Sequence, residues 1–319
     1  MTEILEIQTN SALNEDEILC GFVKDCELRN LEKVTINGYK SRLQKMIEVL
    51  RQRGLSIIRL DKESLKVILE YLQSRRFAYQ SLVHNFAALS GFSDYLVYEG
   101  IATANLVRPF RKRYVRKYKQ QHDPERKLIS VEEMAMLINS ILDPRDRAIV
   151  TLLAKTGIRR GELIRIDVDD LNWMEQSIRL KLHPKRSNCI VFFDDETARV
   201  LQRWIRARAS FDLEKDCESL FVNERGGRLM RHGVLHAVTK HAQRVGLHNP
   251  KSEKIEDHFT PHCCRHWFTT HLRRNGLRRE LIQELRGDAR KEAVDIYDHI
   301  DKKELKRAYL AAMPILGIE

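Results

Sequence analysis

The sequence predicts a mainly α protein with a small β-sheet, divided into an N-terminal helical bundle and a C-terminal α+β domain. Three observations carry this. Apolar residues recur at helical spacing through most of the first hundred positions, with turn signals between the runs. A basic stretch with no acid, Arg108-Pro109-Phe110-Arg111-Lys112-Arg113-Tyr114-Val115-Arg116-Lys117-Tyr118-Lys119, then interrupts the pattern. Beyond it helical runs resume, broken by two β-rich runs on either side of a turn. A chain of 319 residues is long enough for two cores. The predicted parts are a bundle over 1–107, a linker over 108–127 and a second domain over 128–319.

In the bundle, Asn14 with Glu17 three residues on is an N-cap signature, and Ile18, Leu19, Phe22 and Cys26 follow at helical spacing. A second helix is predicted from Val34 to Arg53, with Ile36, Tyr39, Leu43, Met46, Ile47 and Leu50 inward; Gly54 ends it. Asp61 caps a third, burying Leu65, Ile68, Leu69 and Leu72. A fourth spans Tyr79 to Tyr98 through Leu82, Phe86, Leu89, Phe92 and Leu96, and stops at Gly100. The linker's cations interleave with Tyr114 and Tyr118, which suits a strap that follows a phosphate backbone.

The second domain opens on a capping box at Ser130 and Glu133, with Met134, Leu137, Ile138 and Ile141 on one face. Asp143-Pro144 starts the next helix, whose Ile149, Leu152 and Leu153 point to the core. Thr156-Gly157 breaks it, so Arg159 emerges from a turn, with Glu162 one turn on to hold its guanidinium. Ser177–Leu182 and Cys189–Phe193 read as a hairpin. Asp194-Asp195 cap a helix with Val200, Leu201, Trp204 and Ile205 inward. After a Gly226-Gly227 turn, a helix from Arg231 to Val245 buries Val234, Leu235, Val238 and Ala242. It offers Arg231, His232, Lys240, His241 and Arg244 as a basic side suited to a major groove. A last helix, Asp301 to Ala312, precedes the apolar tail Met313-Pro314-Ile315-Leu316-Gly317-Ile318, suited to packing on its own domain or on a neighbouring subunit.

Lys and Arg number 56 against 45 Asp and Glu, a formal charge of +11. That surplus predicts a polyanionic partner bound in a salt-dependent way. Six cysteines without C-x-x-C spacing predict reduced thiols rather than a zinc site or disulfide frame, and scattered His248, His258 and His271 give no metal set. No apolar run approaches membrane-spanning length and no signal peptide is apparent, so a cytoplasmic protein is expected.

The chemistry concentrates in Thr260 to Ile300. His262 and Arg265, three apart on a helix started by Thr260-Pro261, project from one face near backbone N–H groups that favour an anion. Tyr297 follows beyond Gly287. A histidine, an arginine and a tyrosine at one phosphate suit phosphodiester chemistry without a metal. This H-x-x-R-H with its following tyrosine resembles box II of the tyrosine recombinases, the phage-integrase and Xer-type enzymes. Thr156-Gly157-Ile158-Arg159-Arg160-Gly161-Glu162-Leu163 is similar to their box I, T-G-x-R-x-x-E-L.

The resemblance implies a core-binding domain followed by a tyrosine-recombinase catalytic domain. It also implies a site-specific recombinase that cuts and rejoins double-stranded DNA through a 3'-phosphotyrosine, without cofactor or ATP, as a dimer or tetramer. Tyr297 is then the nucleophile, Arg159 and Arg265 hold the phosphate and His262 handles the proton. A hairpin lysine, Lys185 with Lys181 as its rival, serves the leaving oxygen. Arg111, Lys112, Arg113, Arg116, Lys117, Arg231, Lys240 and Arg244 are expected on DNA. Where the family commonly has His or Trp, nine residues before the tyrosine, this chain has Asp288, within an L-R-G-D run similar to the archaeal branch. Asp288 is expected to orient His262 or Arg265, or Arg286 to supply the contact. A DNA-binding protein without cutting activity and a type IB topoisomerase-like enzyme are the alternatives, and Tyr309 is a rival nucleophile.

Overall fold

A computed structural model describes residues 14–115, 128–182, 186–288 and 300–318. The chain separates into two compact units, Met1–Asp123 and Pro124–Glu319.

In the first unit, α1 (Glu15–Leu28), α2 (Lys33–Arg51), α3 (Lys62–Ser74) and α4 (Tyr79–Tyr98) form the bundle. Asn14 accepts from the Asp16 N–H at 3.0 Å and Asp61 from that of Ser64 at 2.7 Å, satisfying donors that helix starts leave open. The core is the predicted apolar set: Leu19, Phe22, Leu43, Leu50, Leu65, Phe86, Leu89 and Phe92 are all buried. Tyr39 and Leu69 are only partly buried at its margin.

The first half of the basic stretch is part of this unit, where the sequence suggested a linker from residue 108. A short helix α5 (Val107–Phe110) runs into a π turn, Arg111–Val115. Phe110 stacks on Phe86 with ring centroids 5.6 Å apart, and Val107, Phe110 and Val115 are buried in the bundle core. Phe110 and Val115 are five positions apart, and a wide turn lets both face inward while Lys112 and Arg113 stay exposed. The apolar anchors therefore outweigh the charge run in setting the backbone here.

In the second unit α6 (Val131–Asn139) carries the full Ser130–Glu133 capping box, and α7 (Pro144–Thr156) packs against α9 (Asp195–Arg208), α10 (Arg231–Arg244) and α11 (Pro261–Arg274). α7 lies at the centre: Ala148 through Thr156 are all buried. Around it stand α8 (Arg160–Leu163), α12 (Arg279–Arg286) and α13 (Lys302–Ala312). The hairpin consists of β2 (Ser177–Arg179) and β3 (Ile190–Phe192), antiparallel, with Ile178 opposite Val191. A third strand, β1 (Leu171–Asn172), adds to β2. Two residues give too little alternation for a strand to be read from sequence.

Two further expectations change. His241 is buried, not on a basic side; its Nε2 lies 2.9 Å from Asp146 Oδ2 in the first turn of α7. Leu235 is half-buried and Ala237 takes the core position. The apolar tail packs on its own domain, one of its two expected positions. Met313, Leu316 and Ile318 are buried, and the N–H groups of Leu316 and Ile318 donate to Glu196 at 2.9–3.1 Å. Lys155, with no solvent exposure, donates to Pro314 O at 2.8 Å and pairs with Asp194 at 2.6 Å and Glu196 at 2.5 Å. A buried ammonium needs such partners, and two carboxylates with a carbonyl supply them.

Candidate active site

The site begins where α7 stops. Gly157 adopts φ 61°, and a Cβ there would come within 2.4 Å of the Phe268 ring, so glycine alone fits both the turn and the approach. The chain then re-enters a helix with Arg159 as the N-cap of α8. The Arg159 N–H donates to Glu162 Oε2 at 2.7 Å, and its Nη1 to Oε1 at 3.1 Å. Glu162 is thus a tether from backbone to guanidinium. It also accepts from Nη1 of Arg186 at 3.1 Å, and that arginine's side chain is fully buried.

Arg265 comes from the middle of α11 and is 4% exposed. Its Nη1 donates to Gly157 O at 2.7 Å, and its Nη2 to Arg286 O at 3.1 Å and Asp288 Oδ1 at 2.9 Å. The carbonyls lie at the C-terminal ends of α7 and α12, so each helix terminus helps fix the guanidinium. Gly287 ends α12 at φ 63°, with the Arg186 side chain where a Cβ would stand, and delivers Asp288 to the site. Asp288 Oδ1 accepts from both Arg265 and Arg159, the latter at 3.1 Å. Nε of Arg286 lies 3.0 Å from Oδ2, an ion pair without hydrogen-bond alignment.

Burial, with Arg159 and Arg286 close by, lowers Arg265 to about 10 even though Asp288 and Glu162 oppose the shift. It remains a cation at neutral pH. Burial tends to raise Glu162, but Arg186 and the N–H and guanidinium of Arg159 outweigh it and hold the carboxyl below its ordinary value. The arrangement is a cluster of rigid guanidinium forks with ionised carboxylates between them. Such forks can bind two oxygens of a tetrahedral anion.

His262 is exposed on the first turn of α11, its ring 4.7 Å from that of His266 one turn on. Lys185 and Tyr297 lie outside the described residues, as do Arg116 and Lys117. The rivals are placed. Lys181 pairs with Asp170 at 2.9 Å and Asp167 at 3.0 Å, and the bonds to these carboxylates raise its pKa. A proton donor to an alkoxide needs the opposite shift. Tyr309 is 1% exposed and donates to Lys155 O at 2.9 Å; burial first, then Asp194 and Glu196, keeps its phenol well above the usual value. It is a packed core tyrosine.

Arg231, Lys240 and Arg244 are exposed on α10. The Arg231 guanidinium lies over Gly161 of α8, with Nη2 3.0 Å from where a Cβ would be. Lys240 lines a cleft of about 410 Å³ with Arg145, Arg225 and His236. In the first unit Arg111, Lys112 and Arg113 are the first three residues of the π turn, with the Arg113 guanidinium 5.6 Å from the Tyr114 ring centre. The sequence suggested that Asp288 orients His262 or Arg265; the structure pairs it with Arg265 and also with Arg159 and Arg286. The coupling of Glu162 to Arg186 was not foreseen, and residues this far apart leave no local signal of pairing. Among the described residues no His, Cys, Asp and Glu cluster forms a metal-binding set, and no helix is long and apolar enough to cross a membrane.

The model of the phage integrase family matches residues 127–304, more than half of the chain. Tyrosine recombinase XerC of Vibrio cholerae serotype O1 is 28% identical over 294 residues, covering 90% of this chain and 88% of that protein. XerD of Corynebacterium glutamicum is 32% identical over 194 residues, 58% of this chain and 61% of its own. Among solved structures, XerH site-specific recombinase bound to palindromic difH substrate superposes with a TM-score of 0.65 at 20% identity, over 94% of this chain and 85% of XerH. The Tn1549 transposon integrase in complex with circular intermediate DNA gives 0.66 at 19%, over 92% and 98%. These likenesses establish the fold across both units. With the family match, they make this chain a member of the phage integrase family, a tyrosine-type site-specific recombinase.

Proposed function

We propose that the chain exchanges strands between specific sites in double-stranded DNA through a 3'-phosphotyrosine made by Tyr297. The observation that carries this reading is the convergence of Arg159 and Arg265 on one oxygen, from helices far apart in sequence. Two guanidinium groups focused on a point suit the nonbridging oxygens of a phosphodiester, where charge grows as the phosphorus becomes five-coordinate. The phenolic oxygen attacks phosphorus in line, and the bond to the 5'-oxygen breaks. His262 takes the phenol's proton, and Lys185 gives one to the departing oxygen. A phenol of ordinary pKa near 10 needs that proton removed to attack at neutral pH. The covalent ester conserves the bond energy, so the 5'-hydroxyl of a second strand can reverse the step on a new partner, and none of these roles calls for a metal or ATP.

Glu162 holds Arg159 in place. Arg231, Lys240 and Arg244, with Arg111, Lys112, Arg113, Arg116 and Lys117, supply cations for the duplex, and their number predicts steep salt dependence. XerH and the Tn1549 integrase are each described with DNA bound, and the λ integrase as a dimer on its core site. By analogy this chain acts as a dimer or tetramer on DNA, in the cytoplasm. Incubation with a nicked suicide duplex should give a denaturation-resistant protein–DNA adduct that Tyr297→Phe does not form. Failure of wild type to form it on any candidate site would leave a DNA-binding protein without cutting activity.

A further inference from the structure

We propose that Asp288 is a positioning residue that stands in for phosphate: it holds Arg159 and Arg265 at phosphate-binding spacing, and the DNA phosphate must displace it. The inference rests on the reading of these two arginines as the phosphate holders.

The geometry is that of an anion in its receptor. One carboxylate oxygen accepts from Nη2 of Arg159 at 3.1 Å and Nη2 of Arg265 at 2.9 Å, while Arg286 Nε lies 3.0 Å from the other oxygen. Both bonds use terminal guanidinium nitrogens, the donors a nonbridging phosphate oxygen would need. Among the described residues, the other charged groups paired at the site are Glu162 and Arg186. Arg186 is matched by Glu162, so Asp288 is the carboxylate that decides how much positive charge meets an incoming anion.

The carboxylate can leave without unfolding its surroundings. Its backbone is pinned, N–H to Gln283 O at 3.1 Å and carbonyl to the Ser187 hydroxyl at 3.1 Å, so rotation about its own side-chain bonds suffices. Its side chain is 28% exposed, whereas that of Arg265 is 5% exposed. An entering phosphate therefore meets the carboxylate before the buried arginine. An entering phosphate takes over hydrogen bonds the carboxylate already receives, and the displaced carboxylate stays close as a like charge, so this site adds little affinity for a lone phosphate. Its arginines are released only when contacts elsewhere on the duplex make the exchange favourable. A carboxylate here thus favours correctly seated DNA over stray phosphates, which a neutral or cationic donor could not do.

The test is titration of the full-length protein with inorganic phosphate, at fixed ionic strength with a chloride control. Asp288→Asn should bind it about tenfold more tightly than wild type, since a like charge leaves the site. Asp288→Glu should stay near wild type. The gain should vanish in the Asp288→Asn/Arg159→Ala double variant. An Asn variant that binds phosphate no better than wild type, or a gain that survives loss of Arg159, overturns the proposal. If circular dichroism shows Asp288→Asn to be misfolded, Asp288→Ser takes its place with the same expectation. The titration needs no strand cleavage, so absence of a wild-type DNA adduct would defeat the recombinase mechanism separately.

Discussion

Arg159 and Arg265, more than a hundred positions apart in sequence, donate to the same oxygen of Asp288 at 3.1 and 2.9 Å. Arg265 cannot be moved cheaply, because its Nη1 and Nη2 also donate to the carbonyls that end α7 and α12. Arg265→Lys keeps the charge but loses the planar fork. Adduct formation on a suicide duplex is expected to fall by about 10²–10³-fold, the usual cost of one oxyanion donor, with the helical circular dichroism retained.

Glu162→Gln should damage stability as well as chemistry. The carboxylate faces the buried Arg186 and tethers Arg159. Removing one member of a buried pair typically costs about 3–5 kcal/mol, and the urea midpoint measures it.

The same group sets an acid limit. Glu162 and Glu196 both have folded pKa values below the ordinary 4.5, burial being outweighed by Arg186 and Arg159 in one case and by Lys155 and tail N–H groups in the other. A lowered folded value means the unfolded chain binds the proton first. Their stabilisation is therefore full above 4.5 and is lost as pH falls through the folded values. Urea midpoints should be unaffected by these groups near neutrality and drop below pH 4.5, less steeply in Glu162→Gln.

The tail contact predicts a protection pattern. Amides of Leu316 and Ile318 should exchange slowly in the wild-type protein, and Glu196→Ala should make both exchange fast. Slow exchange that survives Glu196→Ala would show that another acceptor holds the tail.

Much of this was legible because it is local. The bundle helices, the Ser130 and Asp143 caps, the break at Gly157 and the Arg159–Glu162 pair each depend on residues within a turn or two. What was not legible depends on distance in sequence. Phe86 decides that Phe110 is core rather than linker. Lys155 and Glu196 decide that the tail folds back. Asp146 makes His241 an interior residue where helical spacing had put it among surface cations. The aspartate at 288 was visible as an oddity, but only folding shows which cations surround it.

Two tyrosines separate the account most directly. Tyr309 is buried against Lys155 O, so Tyr309→Phe should cost about 1 kcal/mol of stability and leave cleavage intact. The decisive measurement is mass-spectrometric mapping of the peptide that carries nucleotide after a suicide duplex has been cut. The account predicts attachment at the Tyr297 phenol, through a 3'-phosphate. Attachment at Tyr309 or any other side chain, or cutting that leaves no protein-bound strand, would contradict it.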